Sequence, residues 1–339
     1  MSNWFQTQWA SFTLWHILLI PLAWFFCAAI YLRRFLYRMA WLKTTRLSVP
    51  VIIVGNISVG GTGKTPLVIW LAEQLQFAGF KPGIISRGYK GTSKQATAVL
   101  ANSNPQQVGD EPVLIAKRSH CPVTVGADRV AAGQALLQAN PQCNVIISDD
   151  GLQHYALQRD IELALVDSNR QFINQYLLPA GPLRERISRL QSVDALVDSG
   201  SDENFRSYLQ ETLNPVLFSM QLQGVMFESL VGLQVGQPAS YFSNKNLVAM
   251  TGIGNPERFF KQLSGLGLQF ESKIFADHHA FSTEDLAQFA HKTILMTEKD
   301  AVKCLAFAPA DAWYLPVSAT VGSATESTLM ALILQKLRN

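Results

Sequence analysis

Short apolar runs alternate with amphipathic segments from residue 48 onward. Continuous apolar runs such as VPVIIVGNI (49–57) are typical of strands that are covered on both faces. Segments such as TPLVIWLAEQLQFAG (65–79), which ends in a glycine, predict helices. The two kinds of segment continue to alternate through residues 145–167. This rhythm predicts an α/β fold with a mainly parallel sheet and helices on both faces.

The pattern changes after Gly200. The segment PVLFSMQLQGVMFESLVG (215–232) predicts paired extended strands with no helix between them. A second α/β stretch follows, and STLMALILQKLRN (327–339) predicts a closing amphipathic helix. We therefore expect a larger α/β domain (47–224), two linker strands (225–240) and a smaller C-terminal α/β domain (241–339).

The first 46 residues predict a separate helical segment that associates with a membrane. Residues 12–32 contain no charged side chain, and at about 1.5 Å each they could cross a hydrocarbon core of roughly 30 Å. Two interpretations stay open: the segment spans the membrane with the arginines that follow it on the cytoplasmic side, or it lies in one leaflet. Aromatic residues scattered through the segment favour the second. Both interpretations place residues 47 onward in the cytoplasm.

Charge is unevenly distributed along the chain. The net charge is +3, yet residues 1–72 carry +6, because six basic residues precede Glu73, the first acidic one. The remaining 22 basic and 25 acidic residues sum to −3. A basic front end on a slightly acidic body argues against nucleic acid as the main partner and fits anionic lipid headgroups. The four cysteines form no Cys-x-x-Cys pair, which is typical of reduced thiols in a cytosolic protein.

A glycine-rich turn separates the first predicted strand from the first predicted helix. Residues 58–65 read SVGGTGKT, which departs from the phosphate-binding pattern Gly-x4-Gly-Lys-Ser/Thr only at Ser58. In this pattern backbone N–H groups cradle phosphates, Lys64 reaches the β- and γ-phosphates, and Thr65 binds Mg²⁺. TEKD (297–300) misplaces the lysine of the guanine-reading motif, so ATP is the expected nucleotide. The expected ATP-binding residues are Ser58, Val59, Gly60, Gly61, Thr62, Gly63, Lys64 and Thr65.

Two pairs of adjacent carboxylates are candidates for the chemistry. Asp149 and Asp150 end a predicted strand at the carboxyl edge of the sheet, where they could hold Mg²⁺ or form a solvated turn or helix cap. The phosphate loop favours metal binding. Asp110 and Glu111 precede Pro112, so they either begin a helix or place a base near the γ-phosphate. The residues alone give these last two interpretations equal weight.

Two further segments carry candidate side chains. FADHHAF (275–281) brings together Asp277, His278 and His279. Adjacent side chains diverge, so one histidine acting in proton transfer is a better interpretation than a metal held by both. LLPAGPLRERISRL (177–190) contains Arg184, which either lies on a solvated helix start or grips an anionic substrate group with two hydrogen bonds.

Taken together, these segments resemble one family, the tetraacyldisaccharide 4'-kinases, which are the lipid A 4'-kinases. The resemblance covers nearly the whole chain. Its motifs are GNISVGGTGKTP (55–66), SRGY (86–89), GDEP (109–112), DDGLQH (149–154), GPLRE (181–185), FADHH (275–279) and TEKDAVK (297–303). Most are weak alone, but their order and combination are specific. Ser58 agrees with this family, whose loop is similar.

The resemblance implies transfer of the γ-phosphoryl group of ATP, with Mg²⁺, to the 4'-hydroxyl of a tetraacylated glucosamine disaccharide 1-phosphate. It implies a P-loop α/β domain joined by a two-stranded linker to a smaller α/β domain. Because the acceptor is a lipid, the expected location is the inner membrane, with the catalytic domains on the cytoplasmic side. The N-terminal segment would hold the enzyme at the membrane surface, and neither nucleic acid nor an obligatory protein partner is expected.

The resemblance also implies roles for particular residues. Asp110 matches the family's catalytic acidic residue and His278 its partner histidine. In this picture Asp110 takes the acceptor proton, and His278 raises the basicity of Asp110 or receives the proton. Lys64 and Mg²⁺ stabilise the transferred charge. Candidate metal ligands are Thr65, Asp149, Asp150 and Glu111, and candidate acceptor-binding residues are Arg184, Glu185, Arg87 and Tyr89.

A second class of protein also fits the phosphate loop, the aspartates and the apolar segment. This is a membrane-attached P-loop ATPase that acts as a switch or carrier. It gives no reason for the GPLRE motif or for a histidine in a second domain. ATP consumption without a lipid acceptor separates the two classes, because a kinase needs its acceptor.

Overall fold

A computed structural model describes residues 8–9, 13–232, 236–321 and 323–338. The described residues form a long N-terminal helix and two α/β units, each built on one mainly parallel sheet. The fold class expected from the alternation of segments is therefore confirmed. Residues 1–7 and 10–12 of the expected membrane-associated segment lie outside the described residues.

The strands and helices of the described residues are numbered in chain order. The strands are β1 (Val51–Gly55), β2 (Pro82–Ser86), β3 (Thr97–Val99), β4 (Val123–Val125), β5 (Val145–Asp149), β6 (Ile161–Val166), β7 (Ala195–Asp198), β8 (Val216–Gln223), β9 (Met226–Ser229), β10 (Gln237–Pro238), β11 (Leu247–Thr251), β12 (Glu271–Ile274), β13 (Thr293–Thr297), β14 (Ala312–Leu315) and β15 (Ser318–Val321). The helices are α1 (Trp15–Arg38), α2 (Lys64–Phe77), α3 (Pro105–Val108), α4 (Asp110–Ser119), α5 (Arg129–Ala139), α6 (Glu203–Thr212), α7 (Pro256–Gly265), α8 (Thr283–Ala287), α9 (Glu298–Cys304) and α10 (Ser323–Arg338).

The larger unit is built on a nine-stranded sheet in the order β15-β8-β7-β6-β1-β5-β2-β4-β3. Its edge strands β15 and β3 are antiparallel to their neighbours, and the strands between are parallel. Ile52 and Val54 of β1 pack with α2, α4 and α10, whereas Val51 and Ile53 pack with α5 and α6. Both faces of β1 are thus covered, which explains its continuous apolar sequence.

The smaller unit is a six-stranded sheet in the order β10-β9-β14-β13-β11-β12. Strands β14, β13, β11 and β12 are parallel, and β9 and β10 add antiparallel pairs at one edge. The loops that follow β11 and β13 reach toward the phosphate loop of the larger unit. A Cβ on Gly254 would lie only 3.5 Å from the backbone nitrogen of Gly61.

The chain crosses between the two sheets twice. It leaves β8 for β9 at Gly224 and returns from β14 to β15 at Pro316. A Cβ on Gly224 would lie 2.4 Å from the carbonyl oxygen of Pro316, so the two crossings touch and a side chain has no room there. Strands β8 and β9 consequently belong to different sheets. The pairing expected between the two strands of residues 215–232 is wrong, because β8 pairs with β7 and β15, whereas β9 pairs with β10 and β14.

The C-terminal boundary also differs from the expected division. Strand β15 pairs with β8 in the larger sheet, and Leu329 and Ile333 of α10 join the core beneath α2. Both elements therefore complete the larger unit, whereas the expected division assigned residues 241–339 to the smaller one. The amphipathic pattern of a helix records that one face is buried, but not which sheet buries it.

Helix α1 contacts the larger unit near both of its ends. At the first turn, Nε2 of His16 lies 3.3 Å from Nδ2 of Asn174. At the last turns, the rings of Tyr37 and Tyr155 have centroids 6.0 Å apart, and Arg34 lies over the Tyr155 ring. Of the helices in the described residues, only α1 is both long enough and apolar enough to cross a membrane.

Candidate active site

The phosphate loop connects β1 to α2, as the sequence predicted. Gly60 and Gly63 have φ angles of +110° and +91°, which side chains rarely adopt, so glycine is required at both positions. Gly63 is the N-cap of α2 and supplies no side-chain cap, which leaves N–H groups of the first turn available for phosphate oxygens. Ser58 has no positive φ and forms a β-bridge with Leu183. A side chain is therefore tolerated where the usual pattern has glycine.

Hydrogen bonds from neighbouring segments fix the shape of the loop. Asn56 donates from Nδ2 to Oγ1 of Thr62 at 3.0 Å, and Ser199 donates from Oγ to the carbonyl of Thr62 at 2.8 Å. Nζ of Lys64 lies 3.4 Å from Oδ1 of Asn56. The cradle is consequently held in place by groups on both sides before any phosphate binds.

Asp149 ends β5 inside the protein and is 1% exposed. Its Oδ2 accepts a hydrogen bond from Ser86 at 2.9 Å, whereas its buried Oδ1 has no hydrogen-bond partner among the described residues. Burial, and then the carboxylates of Glu111 and Asp150, raise the pKa of Asp149 to about 7. A buried carboxylate oxygen without a partner, beside other carboxylates, fits a Mg²⁺ ligand.

The rest of the donor set is also suited to Mg²⁺. Thr65 and Glu111 line the same cleft as the phosphate loop. No group of three His, Cys, Asp or Glu side chains in the described part of the chain is placed to hold an ion alone. This arrangement is typical of Mg²⁺ sites, in which one or two carboxylates share the ion with substrate phosphates and water.

Asp150 is bound to cations instead. Arg184 donates from Nη1 to both carboxylate oxygens at 2.9 and 2.8 Å, and Nζ of Lys64 lies 3.5 Å from Oδ1. Burial favours the neutral acid, but Lys64 and Arg184 outweigh it and hold the pKa of Asp150 well below its ordinary value. Arg184 thus forms an ion pair with Asp150, which sequence reasoning missed.

Asp110 and His278 meet across the cleft between the two units. Asp110 begins α4, and its Oδ2 and Oδ1 lie 2.9 and 3.1 Å from Nδ1 of His278. Oδ1 of Asp110 also accepts a hydrogen bond from the backbone N–H of Glu111 at 2.9 Å, so the same side chain contacts the first turn of α4 as well as His278. Burial favours protonation of Asp110, but Lys299 and His278 outweigh it and hold the pKa of Asp110 well below its ordinary value.

The two adjacent histidines point to different partners. His278 has a positive φ of +58° and faces Asp110, while Nε2 of His279 lies 2.9 Å from Oδ2 of Asp285. The ring of His279 also stacks on Phe275. The divergence expected for neighbouring side chains is therefore present, and a metal held by both histidines does not fit this geometry.

The remaining predicted residues lie at different depths. Tyr89 is half exposed and packs its ring edge-on against His278 with centroids 5.2 Å apart, and Arg87 is exposed in the same cleft. Glu185 is 1% exposed and accepts hydrogen bonds from Tyr155 and Gln153. The Glu185 side chain is therefore engaged with its neighbours beneath the cleft surface.

Two cations at the site were missed by sequence reasoning. Lys299 donates to Oε1 of Glu111 at 2.9 Å, and the guanidinium of Arg170 lies against the phosphate loop, 2.5 Å from where a Cβ on Gly60 would be. The sequence did hold signals for both. Lys299 is a lysine in the first turn of a helix, where acidic residues are preferred, and Arg170 follows β6 at the carboxyl edge of the sheet.

These groups surround one cleft of about 650 Å³. Its walls come from the phosphate loop, from the loop that carries His278, and from Phe26, Ile30 and Arg33 of α1. A P-loop phosphotransferase is the class of protein that this arrangement defines, because the phosphate cradle and a carboxylate–histidine pair lie together at the carboxyl edge of a parallel sheet.

Comparison with known proteins identifies the family. The family model described as tetraacyldisaccharide-1-P 4'-kinase, LpxK, matches residues 15–338. The chain belongs to this family.

Full-length relatives agree with this assignment. The tetraacyldisaccharide 4'-kinase of Methylobacillus flagellatus is 48% identical over 97% of this chain and 96% of its own length. That of Dechloromonas aromatica is 46% identical over 100% of this chain and 98% of its own length. The crystal structure of LpxK from Aquifex aeolicus in complex with ATP has a TM-score of 0.76 at 30% identity, covering 94% of this chain and 98% of that one.

Proposed function

We propose that this protein transfers the γ-phosphoryl group of ATP to the 4'-hydroxyl of a tetraacyldisaccharide 1-phosphate at a membrane surface. One observation carries the proposal: the phosphate loop, His278 and apolar side chains of α1 all line the same cleft. A lipid kinase needs a phosphate donor site, a proton acceptor and an apolar entrance in one place. A switch ATPase has no need for the last two.

Apolar side chains line the part of the cleft beside the phosphate loop, where we place the nucleotide base. The cleft continues past Gly63 to Leu222, Leu315 and Phe259, which come from the ends of β8 and β14 and from α7. A Cβ on Gly63 would lie 3.3 Å from Cδ1 of Leu222, so this wall touches the loop directly. We assign this end of the cleft to the adenine ring, because nucleotide sites are lined mostly by apolar side chains.

Mg²⁺ would be held by Asp149 and Thr65. Held there, Mg²⁺ would supply positive charge that offsets the negative charge developing during transfer. Asp150 supports the site indirectly, because it keeps Lys64 and Arg184 close to the phosphate cradle. Lys64 then reaches the phosphate oxygens from the first turn of α2.

Asp110 is assigned as the group that accepts the proton of the 4'-hydroxyl. Its pKa is low, so it is ionised at neutral pH and ready to accept a hydrogen bond from the incoming hydroxyl. A weak base suffices, because phosphoryl transfer passes through a loose transition state in which positioning and charge stabilisation supply most of the rate. Tyr89 borders the same space and fits a contact with the sugar.

The acceptor would enter from the side of α1. Phe26 and Ile30 offer an apolar surface, Arg33 adds positive charge on the same helix, and Arg170 adds positive charge at the phosphate loop. An acylated disaccharide with an anionic phosphate matches this combination of apolar and cationic side chains. We assign Arg33 and Arg170 to the 1-phosphate.

The contacts of helix α1 support an attachment to one membrane leaflet rather than a helix that spans the membrane. Its 24 residues span about 36 Å, yet both its first and its last turns contact the same α/β unit. A helix that crosses the bilayer would carry His16 away from Asn174 to the opposite side. Between these contacts Trp24 and Phe25 are about 70% exposed or more, which fits burial in the acyl region.

The location follows from the same surface. Arg33, Arg34 and Arg38 lie at the C-terminal end of α1, where they can contact anionic headgroups. With ATP as the donor, the catalytic units belong on the cytoplasmic side of the inner membrane.

The test is direct transfer of label. The full chain in detergent receives Mg²⁺, γ-labelled ATP and tetraacyldisaccharide 1-phosphate, and lipid is separated from nucleotide. We expect label in the lipid with the wild type and its loss with Asp110→Ala. ATP consumption by the folded wild type without any labelled lipid would refute the proposal and support the switch ATPase.

A further inference from the structure

Lys299 joins the two halves of the carboxylate–histidine site. It lies in the first turn of α9 in the smaller unit, and its side chain is 18% exposed. Its Nζ donates to Oε1 of Glu111 in the larger unit at 2.9 Å. The same Nζ lies 3.4 Å from Nε2 of His278, on the side of the ring opposite Asp110.

The chemistry of these groups fixes the form of the imidazole. A lysine ammonium has donors only, so its contact with Nε2 requires a lone pair on that nitrogen. A carboxylate has acceptors only, so Nδ1, at 2.9 Å from Asp110, carries the proton. The arrangement is that of a neutral ring that donates from Nδ1 to Asp110 and accepts at Nε2 from Lys299.

We propose that Lys299 is a positioning residue that acts through His278, holding the imidazole neutral with its Nδ1–H directed at Asp110. The inference rests on the roles proposed above for Asp110 and His278. It selects between the two roles that the sequence left open, because a histidine whose Nε2 lone pair is occupied orients the base rather than receiving the proton.

The reaction step balances with this assignment. The O–H bond of the 4'-hydroxyl breaks and its proton passes to a carboxylate oxygen of Asp110. The 4'-oxygen forms the new bond to the γ-phosphorus, and the bond to the β,γ-bridging oxygen breaks, with its electron pair leaving on ADP. His278 keeps its Nδ1 proton throughout and stabilises Asp110 by a hydrogen bond.

Other charges near the ring show why the lysine matters. The charged and titratable groups that face His278 from the surrounding elements are Asp110, Glu111, Asp277, Lys299, Lys303 and Tyr89. Oδ1 of Asp277 lies 3.8 Å from Nε2 and competes for a ring N–H, so the contact with Lys299 is what keeps Nε2 an acceptor.

A double-mutant cycle tests whether Lys299 acts through His278. Lipid labelling is measured for the wild type, Lys299→Met, His278→Ala and the double variant, with kcat and KM determined for ATP and for the lipid. We expect Lys299→Met to lower kcat about 10- to 100-fold with little change in either KM, since a misplaced catalytic group costs this much. In the His278→Ala background the same change should cost less than about threefold.

Two further variants separate positioning from folding. Lys299→Arg keeps a cation in place and should restore part of kcat. Lys292→Met removes a partly buried lysine that pairs with Glu271 outside the cleft, and it should leave kcat unchanged. Equal losses from Lys299→Met in both backgrounds, or a loss seen only as a higher KM for ATP, would overturn the proposal.

The ¹⁵N NMR signals of His278 report directly which ring nitrogens carry protons. With ¹⁵N-labelled histidine, the wild type should show a proton on Nδ1 of His278 and none on Nε2, and Lys299→Met should show part of the proton population moved from Nδ1 to Nε2. A ring protonated at Nε2 in the wild type would also overturn the proposal. Because lipid labelling by the wild type is measured in the same series, failure of this inference is distinguishable from failure of the proposed function.

Discussion

Asp149→Asn is expected to stabilise the protein when Mg²⁺ and nucleotide are absent. The buried carboxylate has one unpartnered oxygen, and burial beside Glu111 and Asp150 raises its pKa to about 7 from 3.8. Because the folded-state pKa is above the unfolded value, the proton stabilises the fold at low pH, and this stability is lost as pH rises through 7. An amide at this position stays neutral at every pH.

The magnitude follows from the shift in pKa. A difference of about 3 units corresponds to up to about 4 kcal/mol of stability that the wild type loses between about pH 4 and pH 8. For a unit of this size, each kcal/mol moves the unfolding midpoint by roughly 2–4 °C. Asp149→Asn should therefore unfold at a midpoint roughly 8–16 °C above that of the wild type at pH 8, and the gap should shrink toward pH 5.

The assay is thermal unfolding in EDTA at several pH values. Asp150→Asn is the matched control with the opposite sign, because it removes a carboxylate that Lys64 and Arg184 stabilise, and it should unfold at a lower temperature than the wild type at pH 8. Adding Mg²⁺ and ATP should raise the midpoint of the wild type far more than that of Asp149→Asn. A gap between Asp149→Asn and the wild type that is the same at pH 5 and pH 8 would refute the reasoning.

Three other changes test separate parts of the structure. Arg170→Gln should raise the KM for tetraacyldisaccharide 1-phosphate about tenfold or more, but should leave the KM for an acceptor lacking the 1-phosphate unchanged. Arg34→Gln is the control, because Arg34 lines another pocket. Equal effects of Arg170→Gln on both acceptors would contradict the assignment. Phe25→Glu should weaken sedimentation with anionic vesicles without lowering kcat on detergent-dispersed acceptor, whereas Phe77→Glu, which changes an exposed residue at the end of α2, should do neither. Gly224→Ala should lower the unfolding midpoint by several degrees because its Cβ would meet the Pro316 carbonyl, while Gly265→Ala, which meets nothing within 4 Å, should not; equal midpoints would show that the crossing tolerates a side chain.

Local signals predicted the parts of the fold that depend on neighbouring residues. The run that became β1, the glycines of the phosphate loop and the start of α2 lie next to one another, so their pattern predicts both structure and position. Strands β8 and β9 are different, since they are neighbours in sequence but join separate sheets, where β8 pairs with β15 and β9 with β14. Their apolar pattern predicts extended chain but carries no information about the partner.

The same limit applies to the site. Asp149 and Asp150 look equivalent in the sequence, but only the structure shows that Arg184 and Lys64 are paired with Asp150. Asp110 and His278 lie 168 residues apart, and the resemblance to a family, not their spacing, brought them together. Lys299 was missed because its partners, Glu111 and His278, come from two other segments of the chain.

The division of the site between two units explains how ATP can be held without being wasted. Lys64 and Asp110 belong to the larger unit, while His278 and Lys299 belong to the smaller one, so the carboxylate is oriented only when the units meet. Gly254 of the smaller unit lies beside Gly61 of the phosphate loop, so the smaller unit covers this part of the loop. Water that enters an open cleft would meet an Asp110 without its histidine. If the lipid acceptor binds at the side of α1 as proposed, its 4'-hydroxyl is the group best placed when the two units meet, and ATP consumption should depend on it.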